Sequence, residues 1–456
     1  MTSTTSVSAQ SAAALSELRS ALIGDVLVAT DPHYDTARRV WNGAADRHPA
    51  MIARCATEGD VALAVRIARE HGLPLSVRGG GHDWAGRAVR DGGVVLDLRF
   101  LRSVGVDPYA STVDAQGGAT AGVVGAAADR YGMAAVTGTI KAVGITALTL
   151  GGGYGLLNGR HGLAADNLVS ARVVLADGAH VTASAAENPD LFWGLRGGGG
   201  NFGVVTRATY RAHPLRRAMS GLVLFGLDQA RKVLKGYREL TAAAPDDLSV
   251  MTGFFTGPDG VPLLFLMPMW SGDAGRAQRH ADRLNALGTP VATTLGTMTP
   301  FEVLGLLDPV VVDGRHVLAA NRQVSEISDE VADVLVDAAA RFTSPYSGLF
   351  VHHFHGASTR VPPAATPFEL RREHNLIEVV GTWEAGDPAA VHEEWTRDLD
   401  QALAAHSLPG GYVNLLGPDE EERVRIAYGR NHSRLLALKA QYDPDNVFRG
   451  VPALIR

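Results

Sequence analysis

The sequence predicts a two-domain α+β protein, and three observations carry that reading. Its 456 residues exceed the ~100–200 residues of one ordinary domain. Glycine-rich loops crowd the first part of the chain, in "RGGGHDWAG", "LTLGGGYG" and "LRGGGGNFG", and stop near residue 214. Beyond that point strand-like runs such as "LSVMTGFF", "VPLLFLMP", "GLFVHHF" and "NLIEVVGTW" alternate with helical segments. The expected division is 1–213 with a returning 413–456, against 214–412.

The elements follow in chain order. Thr57 caps a helix whose Val61, Ala64, Val65 and Ala68 fall at i, i+3, i+4 and i+7, and Gly72 ends it. "LPLSV" reads as a short buried strand, so Gly79, Gly80 and Gly81 form a loop at its end. Consecutive glycines cost backbone entropy and need an offsetting reason, such as close approach of the backbone to something bulky. His82 is held against that object. A second strand, "GVVLDL" at 93–98, follows closely. From 117 to 155 Gly, Ala and Thr dominate, which suits backbone packing around a ligand better than a leucine-filled core. "ARVVLADGAHVTA" is a hairpin turning at Asp177-Gly178, and "NPDLFWGLRGGGGNFGVVTRATY" gives a short helix, a four-glycine loop and a strand. In the second domain 272–287 is helical, and the last 40 residues, ending "LLALKAQYDPDNVFRGV", form a helix and terminal turn that return to the first domain.

Composition excludes several classes. Apolar residues are 46%, charged residues 20% and net charge −6, with no basic stripe to neutralise phosphates, so a nucleic-acid partner is not indicated. The single Cys55 rules out an internal disulfide and any multi-cysteine metal or iron–sulfur site, and reads as a buried small hydrophobe. "MTSTTSVSAQSAAALSELRS" has no basic start followed by an apolar core, and no apolar run of about 20 residues spans a bilayer. A soluble cytoplasmic protein without a membrane partner is expected. Gly198-x-Gly200-x-x-Gly203 matches the dinucleotide fingerprint but precedes the β-branched "VVTRATY" instead of opening a helix, and no phosphate-binding G-x-x-x-x-G-K-[ST] occurs. "VHHFH" places His353 and His355 on one strand face. Two ligands of one kind without a third are weak grounds for a metal, and none is expected.

Taken in order, "RGGGHDWAG", "VGITALTLGGGYG", "GLAADNL", "NPDLFWGLRGGGGNFGVVT", "GGYVN" and "YDPDNVFR" resemble the FAD-linked oxidases of the vanillyl-alcohol oxidase superfamily, in the berberine bridge enzyme-like branch. The resemblance covers nearly the whole chain. It implies the two-domain α+β FAD-binding fold of that type, with an antiparallel sheet backed by helices roofing the flavin ring. It also implies that His82 bonds covalently to the 8α-methyl carbon of FAD and that residues 78–81, Arg78, Gly79, Gly80 and Gly81, wrap the pyrophosphate. Asp83, Gly86, Gly138, Thr139, Gly144, Gly151, Gly152, Gly155, Ala165, Asp166, Val205 and Asn414 would complete the cofactor site. The bare chemistry agrees, since glycines let backbone N–H groups reach phosphates and a neutral imidazole nitrogen is a nucleophile. Where many relatives carry "GTCPTVG", with a second covalent link at the cysteine, this chain has "GTIKAVG". Ile140 stands at the thiol's place, so the resemblance implies FAD linked through His82 alone, at a lower reduction potential than in doubly linked relatives. Val143 matches the oxygen-gate position, where valine accompanies oxidases because it leaves room for O2, and Lys141 replaces the usual proline.

Three side chains compete for the proton-accepting role. Tyr412 in "GGYVN" matches a family tyrosine at the flavin's substrate face and would serve if nearby charge lowered its pKa of ~10. Glu378 sits in an otherwise apolar strand, where a carboxylate is costly unless paired or functional; a structural ion pair with an arginine is the competing reading. His161, with Trp84, stands where many relatives place pocket tyrosines, and could accept the proton itself. The expected reaction passes hydride from a hydroxyl-bearing or phenolic small molecule, a secondary metabolite, to FAD, with O2 reduced to H2O2. Six tryptophans lean toward an aromatic or polyketide-like substrate. The alternatives are a flavin dehydrogenase that does not use O2, and a non-covalent flavin reductase of the same fold.

Overall fold

The computed structural model describes residues 9–450, 452 and 454. Residues 1–8, on which part of the secretory-signal reading falls, and 451, 453, 455 and 456 of the returning tail lie outside the described residues. Three β-sheets organise the described residues. The first is four-stranded, in the order Asp25–Leu27, Met51–Arg54, Val94–Asp97, Leu75–Arg78, and its last three strands run parallel. The helix Glu58–Glu70 connects Met51–Arg54 to Leu75–Arg78, as a parallel crossover requires. It opens on a capping box: Asp60 N–H donates to Thr57 Oγ1 at 3.1 Å and Thr57 N–H donates to the Asp60 carboxylate at 3.0 Å. Val61, Ala64, Val65 and Ala68 are all fully buried, with Cys55 beside them in the same core. Burial pushes the Cys55 thiol pKa upward, which keeps it an inert core group.

The second sheet is antiparallel and six-stranded: Val104–Asp107, Thr112–Gln116, Val204–Pro214, Leu168–Val174 and His180–Ser184 in order, with Met133–Ala135 paired to the end of Val204–Pro214. The expected hairpin joins Leu168–Val174 to His180–Ser184, and the expected short helix is Pro189–Leu195. The 272–287 segment narrows to the helix Ala277–Asn285 behind a 3-10 turn at Ala274–Arg276, with Gly272 and Gly288 outside it. Two helices, Glu421–Tyr428 and His432–Tyr442, precede the tail. Phe448, 3% exposed, packs into the core around Glu58–Glu70.

The third sheet is antiparallel and nine-stranded, with Val223–Gly226, Pro262–Trp270, Leu248–Thr256, Gly348–Phe354, His374–Trp383 and His316–Val324 side by side. Its helix-side face is buried by Ala230–Ala242, Asp329–Ala339 and Ala389–Ala404. Strand alternation then decides everything that matters for the site. Leu349 and Val351 on one strand, and Ile377 and Val379 on the next, are fully buried in the helix-side core. Phe350, His352, Glu378 and Val380 therefore face the opposite way. Among the described residues no helix is long and apolar enough to cross a membrane.

Candidate active site

A cavity of about 730 Å³ lies between the glycine loops of the first two sheets and the open face of the third. Its floor begins at the end of strand Leu75–Arg78 with Gly79, Gly80 and Gly81. Gly80 lies against Gly144: a Cβ on Gly80 would sit 2.5 Å from the Gly144 nitrogen, and one on Gly144 would sit 2.7 Å from the Gly80 nitrogen. Each glycine is required by the other. Among the described residues, the amide groups of Gly79, Gly80 and Gly81 donate to no backbone carbonyl, which leaves them available to an anion.

His82 follows directly and lines the cavity. Its ring stacks on Trp41 with centroids 4.3 Å apart and planes 12° from parallel. Burial pushes its pKa down to about 4, so the imidazole is neutral near pH 7, and its Nε2 is buried without a hydrogen-bond partner. Trp41 escaped the sequence reading because nothing local marks it; its backbone N–H donates to Gly81 O at 3.0 Å, from the far side of strand Met51–Arg54, helix Glu58–Glu70 and strand Leu75–Arg78. Asp83, Gly138, Thr139, Ile140, Val143, Val205 and Asn414 also line the cavity. Asp83 is gripped by Arg87 at 2.6 Å. The Lys141 ammonium pairs with Asp308 at 3.1 Å and lies 4.8 Å from the Phe301 ring, so it ties the wall beside Val143 to the 304–312 loop.

Seven of the expected cofactor residues do not line this cavity, and each has a packing reason instead. Arg78 turns into the protein, where its guanidinium donates to Ala37 O and Arg39 O. A Cβ on Gly86 would meet Ala45 Cβ at 2.3 Å. Gly151, Gly152 and Gly155 face Asn414, Phe368 and the Thr137 carbonyl at 2.0, 2.9 and 1.9 Å from where a Cβ would lie. Ala165 offers its carbonyl to Arg196 at 3.0 Å. Asp166 is spent on a buried, bidentate pair with Arg371 at 2.8 and 2.9 Å, both side chains under a tenth exposed. These residues support the shell behind the cavity wall.

The three proton-acceptor candidates separate cleanly. His161 is outside the cavity lining: its ring stacks on His213 at 3.6 Å, and burial holds its pKa down at about 3. Trp84 does line the cavity, with its indole N–H on Leu415 O at 3.1 Å. Tyr412 lines it too, but burial pushes its pKa up to about 12, the reverse of what a base needs. Its hydroxyl oxygen accepts from Gly153 N–H at 3.1 Å and from Asn414 Nδ2 at 2.8 Å, so the phenol is a hydrogen-bond donor toward any further partner. Glu378 lines the cavity with His352 Nε2 3.3 Å from its Oε1; its partner is a histidine and not an arginine. His352 belongs to the very run read for metal ligation, on the opposite face from His353 and His355. Those two stack on each other at 4.1 Å, with His353 Nε2 3.3 Å from Glu373 Oε1 and His355 Nε2 3.1 Å from Ser249 Oγ.

Tyr154, also in the lining, is fixed by chemistry. His374 Nδ1 lies 2.7 Å from Arg372 O, a carbonyl that can only accept, so Nδ1 carries the proton and Nε2 accepts from Tyr154 Oη at 2.6 Å. Its hydroxyl hydrogen is thereby committed away from the cavity.

Comparison with known proteins agrees with this architecture. The "FAD binding domain" family model matches residues 49–184, and the "Berberine and berberine like" model matches 411–452. The (R)-6-hydroxynicotine oxidase of Paenarthrobacter nicotinovorans is 32% identical over 439 residues, 93% of this chain and 95% of that protein. The chain belongs to the berberine bridge enzyme-like FAD-linked oxidoreductases. Among solved structures, 6-hydroxy-D-nicotine oxidase from Arthrobacter nicotinovorans superposes with a TM-score of 0.84 at 31% identity, covering 94% of this chain and 97% of that one. Xylooligosaccharide oxidase from Myceliophthora thermophila, in complex with xylobiose, gives 0.85 at 25% identity over 98% and 99% of the two chains.

The cavity fits FAD on its own evidence. It joins unpartnered glycine amides, a neutral imidazole with a buried unpartnered nitrogen, and the buried Ser76 hydroxyl, also without a partner, along one continuous floor. Gly80→Ala tests the floor directly, because the added methyl meets backbone that cannot give. Overpacking of this kind costs about 1–3 kcal/mol. Thermal melts should fall accordingly and purified protein should carry less flavin per chain; unchanged flavin content would show that the Gly80–Gly144 contact does not shape the cofactor site.

Proposed function

We propose that this enzyme is an oxidase for a largely apolar, hydroxyl-bearing small molecule, aromatic or polyketide-like, with FAD held covalently through His82 and O2 as the final acceptor. The observation that carries the reading is Glu378: among the described residues it is the one carboxylate of the roof lining, facing the cavity whose floor His82 and the glycine loop form. Bound FAD supplies the hydride acceptor and the means of passing electrons to O2 with formation of H2O2. Glu378 takes the proton of the substrate hydroxyl while His352 holds the carboxylate in one orientation. Met251, Phe255, Phe350 and Val380 enclose the rest of the substrate and exclude water, which strengthens the contacts of the acid. Tyr412, with its proton free, orients a substrate oxygen as a donor and does not act as the base. The names of its relatives span a hydroxynicotine oxidase and a xylooligosaccharide oxidase. The patch of Met251, Phe255, Phe350 and Val380 in the roof suits the ring-bearing class better than a sugar, whose hydroxyls each need a partner.

Val143 supports the oxidase assignment, since it lines the cavity in the wall that also carries Thr139 and Ile140. Val143→Leu should slow reoxidation of the reduced enzyme in air by about tenfold or more while anaerobic flavin reduction keeps its rate. Equal reoxidation in both proteins would remove Val143 from the oxygen path and favour the dehydrogenase alternative. Detection of H2O2 in a stoichiometry of one per substrate oxidised tests the overall reaction.

A further inference from the structure

We infer that Arg315 is a specificity-determining residue that receives a carboxylate at the far end of the substrate from its reacting hydroxyl. The inference deepens the proposed reaction and rests on Glu378 marking the reacting end. Among the described residues of the roof lining, Arg315 is the one guanidinium. Its position follows from the register. Asn321 pairs with Glu378 and His316 with Trp383, so Arg315 comes opposite Glu384, on the same face as Glu378, Val380 and Thr382. Arg315 precedes the first residue of strand His316–Val324, so six positions, about 20 Å of extended backbone at ~3.4 Å per residue, separate it from Asn321. The arginine side chain reaches back along that face into the cavity.

The group is built to bind. Its guanidinium carbon lies 3.4 Å from the centre of the Tyr346 ring, which fixes the plane of the fork. Nε donates to Glu384 Oε1 at 3.0 Å, and this is a rim contact because the glutamate side chain is 52% exposed. The two terminal nitrogens meet no protein acceptor among the described residues, and the arginine side chain is only 17% exposed. A held fork with its two terminal nitrogens unspent, at the mouth of an apolar slot, matches a carboxylate bidentately. A neutral acceptor gains less there, because it brings no charge to the bond. The substrate class is therefore an extended apolar molecule with a hydroxyl at one end and an acid at the other.

The test uses the holoenzyme and a homologous series of ω-(4-hydroxyphenyl)alkanoic acids, from propanoate to nonanoate, each beside its methyl ester. Binding is read anaerobically from the shift of the flavin absorbance, which does not require turnover. Short acids and esters should bind alike; once the chain spans the slot, the acid should bind about 10–100-fold tighter than its ester, as expected for hydrogen bonds to a charged group. Arg315→Met should abolish that preference and leave ester affinity unchanged, and Glu384→Gln should keep or enlarge it. Glu378→Gln should preserve the acid-over-ester preference while slowing flavin reduction, so failure of the base assignment and failure of the anion site give different results. Equal binding of acid and ester at every length, or a preference that survives in Arg315→Met, overturns the inference.

Discussion

Glu378→Gln is expected to slow anaerobic flavin reduction by about 10²–10⁴-fold, the usual contribution of a positioned base. The amide keeps the size of the carboxylate and can still meet His352, which lies 3.3 Å away, but it cannot take the substrate proton. Folding should be spared, because Ile377 and Val379 on either side carry the buried face of the strand while position 378 looks into the cavity. The measurement is stopped-flow bleaching of the flavin with the Tyr412→Phe variant alongside. That variant removes a donor whose pKa burial has raised to about 12, and should cost less than the loss of the acid. An unchanged rate in Glu378→Gln would defeat the base assignment, and a larger loss in Tyr412→Phe would move the role to the phenol.

The second large effect is all-or-none. Acid-precipitated wild-type protein is expected to stay yellow and to carry the mass of one FAD, whereas His82→Ala should release its flavin entirely on denaturation. The physical basis is a ring that is neutral at working pH, with pKa near 4, held flat against Trp41 and keeping one nitrogen buried and unpartnered. A protonated imidazole would have no lone pair to offer; this one does. Only one attachment is expected, because the cavity wall presents Ile140 where a thiol would be needed and the single Cys55 is sealed in the first sheet's core. A colourless wild-type precipitate would sink the covalent link and leave FAD bound by the glycine floor alone.

Much of the architecture was legible because it is local. The Thr57 cap and the apolar stripe behind it, the Asp177-Gly178 turn, the strand that delivers Gly79–Gly81 and the alternating strands of the third sheet each follow from short-range rules of capping, turn chemistry and period. The glycine loops were legible as backbone brought close to something, but not in detail. Gly80 and Gly144 serve the cavity, while Gly151, Gly152 and Gly155 make room for Asn414, Phe368 and Thr137. A glycine looks the same in sequence whether its missing side chain accommodates a ligand or a neighbour.

By itself, then, the sequence determined the kinds of element, the α+β class, the family through its ordered motifs, and the short list of chemistry-bearing residues. Only the tertiary structure decided which of those residues meet. It set Trp41 on His82, His352 beside Glu378 and Asp166 on Arg371, and it withdrew His161 into a stack with His213. It also buried Tyr412, which raises the phenol's pKa where a base would need it lowered. The reason is common to all of these. Contacts between strands and loops far apart in the chain leave no local signal, and a side chain's protonation is set by the burial and partners that those contacts impose.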